Sequence, residues 1–279
     1  MYKIIAALFI SFSFISGAFA QTSFGFRTGL SFSTFSGELE EGESYEFDSG
    51  FHIGLGFNRN FTDIWGVRAE LVYSQKGGVI RYDGVSNILL RDRIERLLPY
   101  SGNQISNLSI TNSHIDLPLM GFGRITNWLE LSVGVAPSFL VTSRGTGDLN
   151  FTSEELVQDI DLSLEYNYLS DKAGDLGIDS ETLTIIEERT RKELTIPSRP
   201  GAYYFQEEVN DNKYNIFSLD AVAGVSVFVN RGLFIGGKAQ FGLLDVTNDS
   251  ADFALSDKGT SQADKDVNVT YQVSVGFYF

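Results

Sequence analysis

The chain of 279 residues has no cysteine, only two histidines and two tryptophans, and a deficit of basic residues. Without cysteine there is no disulfide, no thiol nucleophile, no cysteine-bound metal and no lipoprotein anchor. Two histidines among scattered carboxylates make no zinc pattern. After the first twenty residues no segment approaches the ~18 consecutive apolar residues of a membrane helix. Lys and Arg total 21 against 36 Asp and Glu, a net charge of −15, or −16 once Lys3 is removed with the leader. That balance argues against nucleic acid, which binds basic surface.

What is present begins with an export signal. Met1-Tyr2-Lys3, an apolar run from Ile4 to Ile15 and a small-residue ending at Ala18-Phe19-Ala20 read as a signal peptide over 1–20, cleaved before Gln21. The remaining chain, 21–279, alternates between apolar and polar positions over long stretches. The last stretch shows it best: Val267, Val269, Tyr271, Val273, Val275, Phe277 and Phe279 share one strand face, with Asn268, Thr270, Gln272, Ser274, Gly276 and Tyr278 on the other.

Seven earlier stretches carry the same pattern: Phe24–Phe35, Ser49–Phe57, Ile64–Lys76, His114–Ile125, Leu129–Thr142, Tyr214–Val229 and Leu233–Val246. Short turns at 60–63, 126–128 and 230–232 alternate with long connections at 37–48, 77–112, 143–213 and 247–266. Trp65 and Trp128 stand beside short turns, where aromatics favour a membrane interface. A soluble sandwich or lipocalin would share the alternation but not this asymmetry. The expected fold is all-β: an eight-stranded antiparallel transmembrane β-barrel with long extracellular loops and both termini periplasmic. Two short helices are expected in the loops. One covers Asn87–Leu98, with Leu90, Ile94 and Leu97 at helical spacing before Pro99. The other covers Ser180–Leu194, and Thr152-Ser153-Glu154-Glu155 has capping-box spacing. A structureless loop as long as 143–213 is unusual, so it should be a folded elaboration.

The inward face would carry Arg27, His52, Arg68, Glu70, Lys76, His114, Asp116, Arg124, Glu130, Asp220 and Lys238. An ion path is one reading. The other is a polar network of paired charges, because eight strands enclose a lumen just wide enough for their own side chains. The network is preferred, with Arg124 and Glu130 facing each other about Asn127. A barrel hydrolase would need a nucleophile beside His114 or His52, and no G-x-S-x-G motif occurs. No enzymatic activity, cofactor or metal site is expected. The acidic run Glu38, Glu40, Glu41, Glu43, Glu46 and Asp48 lacks calcium-loop spacing and reads as a solvated loop, sharing loose divalent ions with lipopolysaccharide at most. Arg91, Arg93 and Arg96 suit either lipid phosphates or nearby acidic loops.

Several stretches resemble the PorT-like outer-membrane β-barrel family of Bacteroidetes-type bacteria. They are Thr28-Gly29-Leu30-Ser31-Phe32-Ser33, Gly50-Phe51-His52-Ile53-Gly54-Leu55, Ala69 to Gly77 (AELVYSQKG), Ile115-Asp116-Leu117-Pro118-Leu119 and Gly134-Val135-Ala136-Pro137-Ser138. The resemblance implies an outer-membrane barrel. The namesake's link to protein secretion does not transfer through the long 143–213 insert. The face formed by Tyr271, Val273, Val275, Phe277 and Phe279 also resembles the C-terminal signal read by the barrel-insertion machinery. Expected partners are outer-membrane lipid and lipopolysaccharide, that machinery, and an extracellular or secretion-system protein. The expected role is envelope structure, surface interaction or secretion; the alternatives are a small passive channel or a lipid hydrolase.

Overall fold

The computed structural model describes residues 22–94, 96–177, 181–206, 211–256, 262 and 264–279. The signal-peptide reading lies outside them. Thirteen strands are formed: β1 (Thr22–Ser36), β2 (Glu43–Glu46), β3 (Asp48–Asn60), β4 (Trp65–Arg91), β5 (Leu97–Asp116), β6 (Leu119–Arg124), β7 (Leu129–Thr152), β8 (Ile160–Asn167), β9 (Thr182–Ile186), β10 (Glu193–Pro197), β11 (Phe217–Phe228), β12 (Leu233–Gly242) and β13 (Val267–Tyr278). Antiparallel pairing runs β1–β3–β4–β5–β7–β11–β12–β13 and closes from β13 onto β1, an eight-stave ring. β5 and β6 are one stave. Pro118 interrupts its ladder but not its register: Val72 faces Asp116, and three positions on Ala69 faces Leu119.

Each stave is amphipathic in the membrane sense over the part nearest the short turns. On β4, Trp65, Val67 and Leu71 are exposed, while Arg68, Glu70, Ser74 and Lys76 are buried inside. Aromatic pairs ring both ends of this apolar wall. Phe24–Phe57, Phe61–Trp65 and Phe26–Phe279 lie toward the short turns. Phe51–Tyr73, Phe139–Phe217 and Phe241–Tyr271 lie toward the long connections. The nine residues from Tyr271 to Phe279 join the two rings, matching the ~9–11 residues of a tilted membrane strand.

Beyond the second ring the pattern inverts. β4 continues inward with Ile80, Tyr82, Ile88 and Leu90, and outward with Arg81 and Asp83. β7 changes from exposed Val133, Val135 and Val141 to exposed Arg144, Thr146 and Asp148. A bulge between Ser113 and His114, opposite Val141, shifts the β5–β7 register there, so β7 buries even positions below it and odd positions such as Leu149 and Phe151 above it. Lipid demands an apolar outside; water demands an apolar inside. The same strands satisfy both at different heights.

The distal half therefore has an ordinary hydrophobic core. Ile88, Leu90, Leu149, Phe151, Ile160 and Leu194 belong to one cluster; Phe35, Ile110, Tyr168 and Tyr214 belong to a second. The insert supplies β8, β9 and β10 and packs into this core, so it is folded. Its helices are not found: the described residues contain none. The described part of 87–98 holds the end of β4, turn residues 93–94 and the start of β5, with Ile88 and Leu90 buried at period two. The part of 180–194 among the described residues holds β9 and the start of β10, paired Leu194 to Ile185. At the capping-box site, Ser153 Oγ accepts from Glu155 N at 3.2 Å within a turn. In the first two cases hairpin ladders override the helical spacing.

Candidate functional site

The staves bring the predicted inward residues into one lumen, arranged in tiers. Toward the short turns, Arg68 donates to Glu130 at 2.7 Å and to Asn58 at 2.7 Å. Its guanidinium is sandwiched by Phe122 at 5.0 Å and Tyr278 at 4.8 Å. Arg124, at the rim, lies 3.5 Å from Glu130, its cross-strand partner in register. In the middle tier Glu70 takes Lys238 at 2.6 Å and Arg27 at 3.1 Å. Arg27 also reaches Gln272 at 2.9 Å. In the upper tier Lys76 sits between Asp220 at 2.6 Å and Asp116 at 3.1 Å, and Ser74 donates to Asp116 at 2.7 Å.

The charges balance. Buried Arg27, Arg68, Lys76 and Lys238 face buried Glu70, Glu130, Asp116 and Asp220. Such matching is what low-polarity surroundings require, since an unpaired charge there costs several kcal/mol. The histidines make no direct ion pair, though His52 shares Ser274 with Arg27, which donates to that hydroxyl at 3.2 Å. His52 lies between Ser31 Oγ at 3.2 Å and Ser274 Oγ at 2.8 Å. His114 Nδ1 lies 3.2 Å from the Asn112 carbonyl. Neither ring has a carboxylate on it in these contacts.

Sequence reasoning named the charged members and put Gln272, Ser274 and Tyr278 on the polar face of the last strand without assigning them to the network; Asn58 it did not name. Those residues share the period-two face, which was the available signal. Of the insertion-signal set, Tyr271, Val273, Val275 and Phe279 are exposed on the apolar wall, and Phe277 is half-buried beside Phe279 at 5.0 Å.

The acidic loop is used internally. Glu40 accepts from the amides of Leu255 at 2.6 Å and Ser256 at 3.0 Å, Glu46 pairs with Arg81 at 3.1 Å, and Asp48 accepts from Ser109. Arg93 and Arg96 pair with Glu193 at 2.6 Å and Asp92 at 2.9 Å. A second acidic group, Asp252, Asp264 and Asp266, brings three carboxylate oxygens within 4.8 Å of one another. Lys213 neutralises part of it, 2.7 Å from Asp252. Burial first, then Asp264 and Asp252, raise the Asp266 carboxyl to about 7.

Among solved structures, the chain is similar to Ail, the attachment invasion locus protein of Yersinia pestis, at 12% identity over 93% of this chain and 99% of that one, TM-score 0.35. It is similar to OprG of Pseudomonas aeruginosa at 12% identity over 93% and 97%, TM-score 0.37. Neisserial surface protein A aligns at 9% identity over 92% and 97%, TM-score 0.31. No curated protein matches the sequence. The family model described as outer membrane protein beta-barrel domain matches residues 19–248, the greater part of the chain, and the protein belongs to that family.

Proposed function

We propose that this protein is a non-conducting, non-enzymatic outer-membrane barrel that holds a folded domain at the cell surface for interaction with a partner. The observation that carries the reading is the charge-balanced lumen: eight buried ionic groups pair across it in three tiers. An eight-stranded barrel has room for little else. The inverted upper strands support the second half of the proposal, because a water-soluble core that large extends well past what anchoring requires. In this reading the long connections face outward from the cell, the termini are periplasmic, and residues 1–20 are removed on export. The finer role proposed is surface interaction; the PorT-like resemblance of the Ala69–Gly77 run supports the barrel alone. Lipid and lipopolysaccharide surround the wall.

Single-channel recording of the purified protein in a planar bilayer tests the central claim. The expected record has no stable open level. Uniform, long-lived currents would replace this reading with that of a passive pore.

A further inference from the structure

The inverted strands leave a cavity within the distal core. β4, β5, β7 and β8 enclose it together with residues 202–206 and 251–255, and its volume is about 100 Å3. Leu108, Leu149 and Leu164 give it an apolar wall. Its polar lining includes Gln104 and Ser106 on β5, Tyr166 at the end of β8, Tyr168 just past it, Tyr203, Gln206 and Lys213.

Most of these polar groups are engaged. Gln104 accepts from Ser86 at 3.1 Å and donates to Ser106 at 3.2 Å. Lys213, the charged member of the described lining, donates to Asp252 at 2.7 Å. Tyr166 and Tyr168 differ, since no described residue pairs with the hydroxyl of either. Tyr168 is the more buried, 4% exposed, and its carbonyl accepts from the Tyr203 hydroxyl at 2.9 Å. Its own hydroxyl meets no hydrogen-bond partner among the described residues. Gly145 lies against that hydroxyl; a Cβ there would come within 3.2 Å of it, so the bare backbone gives the phenol end its room. Burial, with Tyr166 and Tyr203 nearby, raises the Tyr168 phenol well above its ordinary value, so it stays a neutral donor.

A hydroxyl on the lining of a cavity with no protein partner is open to a ligand that supplies one. Roughly three waters, at ~30 Å3 each, would fill the space and find partners on its polar side, but would lie against Leu108, Leu149 and Leu164 on the other. An apolar body carrying one acceptor oxygen satisfies both the wall and the hydroxyl. A charged ligand would find no free counter-charge, because Lys213 is already paired. Since a dry cavity of ~150 Å3 holds benzene, the ligand body here is a single small ring or a short chain.

We propose that this cavity is a binding site for a small neutral amphiphile whose hydroxyl or carbonyl oxygen accepts a hydrogen bond from Tyr168. The site is separate from the lumen and does not depend on whether the barrel conducts.

The test uses the full chain folded in lipid nanodiscs, with 4-fluorophenol followed by fluorine NMR. The unsubstituted protein should show saturable binding. Tyr168→Phe should weaken it about tenfold, the scale of one buried hydrogen bond. Leu149→Trp and Ile80→Phe, which fill the cavity from β7 and β4, should abolish it. Heat-modifiable gel mobility establishes that each variant is folded, and either filling variant suffices if the other does not fold. No saturation in the unsubstituted protein overturns the site. So does equal saturation in a folded filling variant, which would mark partition into lipid. Unchanged affinity in Tyr168→Phe overturns the role of the hydroxyl.

Discussion

Arg68 and Glu130 meet at 2.7 Å across the barrel floor, both buried, with β6 lying between their strands. Arg124 reaches the same carboxylate from the rim at 3.5 Å. The closed sheet thus supplies a contact that no local pairing makes, and the partners can be tested separately and together.

Glu130→Ala should destabilise the barrel by about 3–5 kcal/mol, because it leaves Arg68 buried without its counter-ion. Urea unfolding followed by heat-modifiable mobility measures this. The double variant Arg68→Met with Glu130→Leu should recover most of the loss, since an apolar pair leaves no stranded charge. A double variant as unstable as the single one would mean that the tier is held by packing around Phe122 and Tyr278 rather than by charge.

The neighbouring residues Tyr278 and Phe279 should behave differently. Tyr278 is 9% exposed, stacks on Phe234 at 5.1 Å and covers Arg68, whereas Phe279 is 77% exposed on the wall. Tyr278→Ala should insert and then unfold at lower urea. Phe279→Ala loses ~2 kcal/mol of transfer energy at most, yet it should accumulate as unfolded periplasmic chain if that wall end is read during assembly. Fractionation and heat-modifiable mobility separate the two. Equal insertion of both variants would remove the insertion-signal reading.

The distal core should respond to pH through Asp266. Its carboxyl is raised from 3.8 to about 7 in the folded state, so the folded protein holds a proton there that the unfolded chain releases earlier. The stabilisation is therefore full below pH 4 and lost as pH rises toward 7. Protection of the amides around Tyr45, whose hydroxyl donates to Asp266 at 3.3 Å, should fall over that window once exchange is divided by its base-catalysed intrinsic rate. Asp266→Asn, which cannot ionise, should flatten the dependence; an unchanged slope would assign it to another group.

Orientation can be read with single cysteines, since the chain has none of its own. Glu188→Cys lies in the exposed turn between β9 and β10, and Asn127→Cys lies in the short turn between β6 and β7. A membrane-impermeant maleimide added to intact cells should label the first and spare the second. The reverse pattern would turn the barrel over and place the folded domain in the periplasm.

Strand identity and facing were legible from the sequence because both depend on the local geometry of the pleat. Arg27, Glu70, Lys76 and Lys238 could be placed inside by period two alone, and Arg124 with Glu130 by symmetry about a short turn. Three things were decided only by tertiary structure. Which charge meets which depends on closure of the ring, as when β13 brings Gln272 to Arg27. The stretches 87–98 and 181–194 hold strands because hairpin pairing, Leu90 with Leu98 and Ile185 with Leu194, outweighed a helical spacing of leucines and isoleucines. The height at which each stave changes solvent is the third: Lys76 and Ile80 share one face of one strand, yet one is buried among charges and the other in a hydrophobic core. A residue's position along the strand fixes its face, but only the assembled barrel sets whether lipid or water lies outside it.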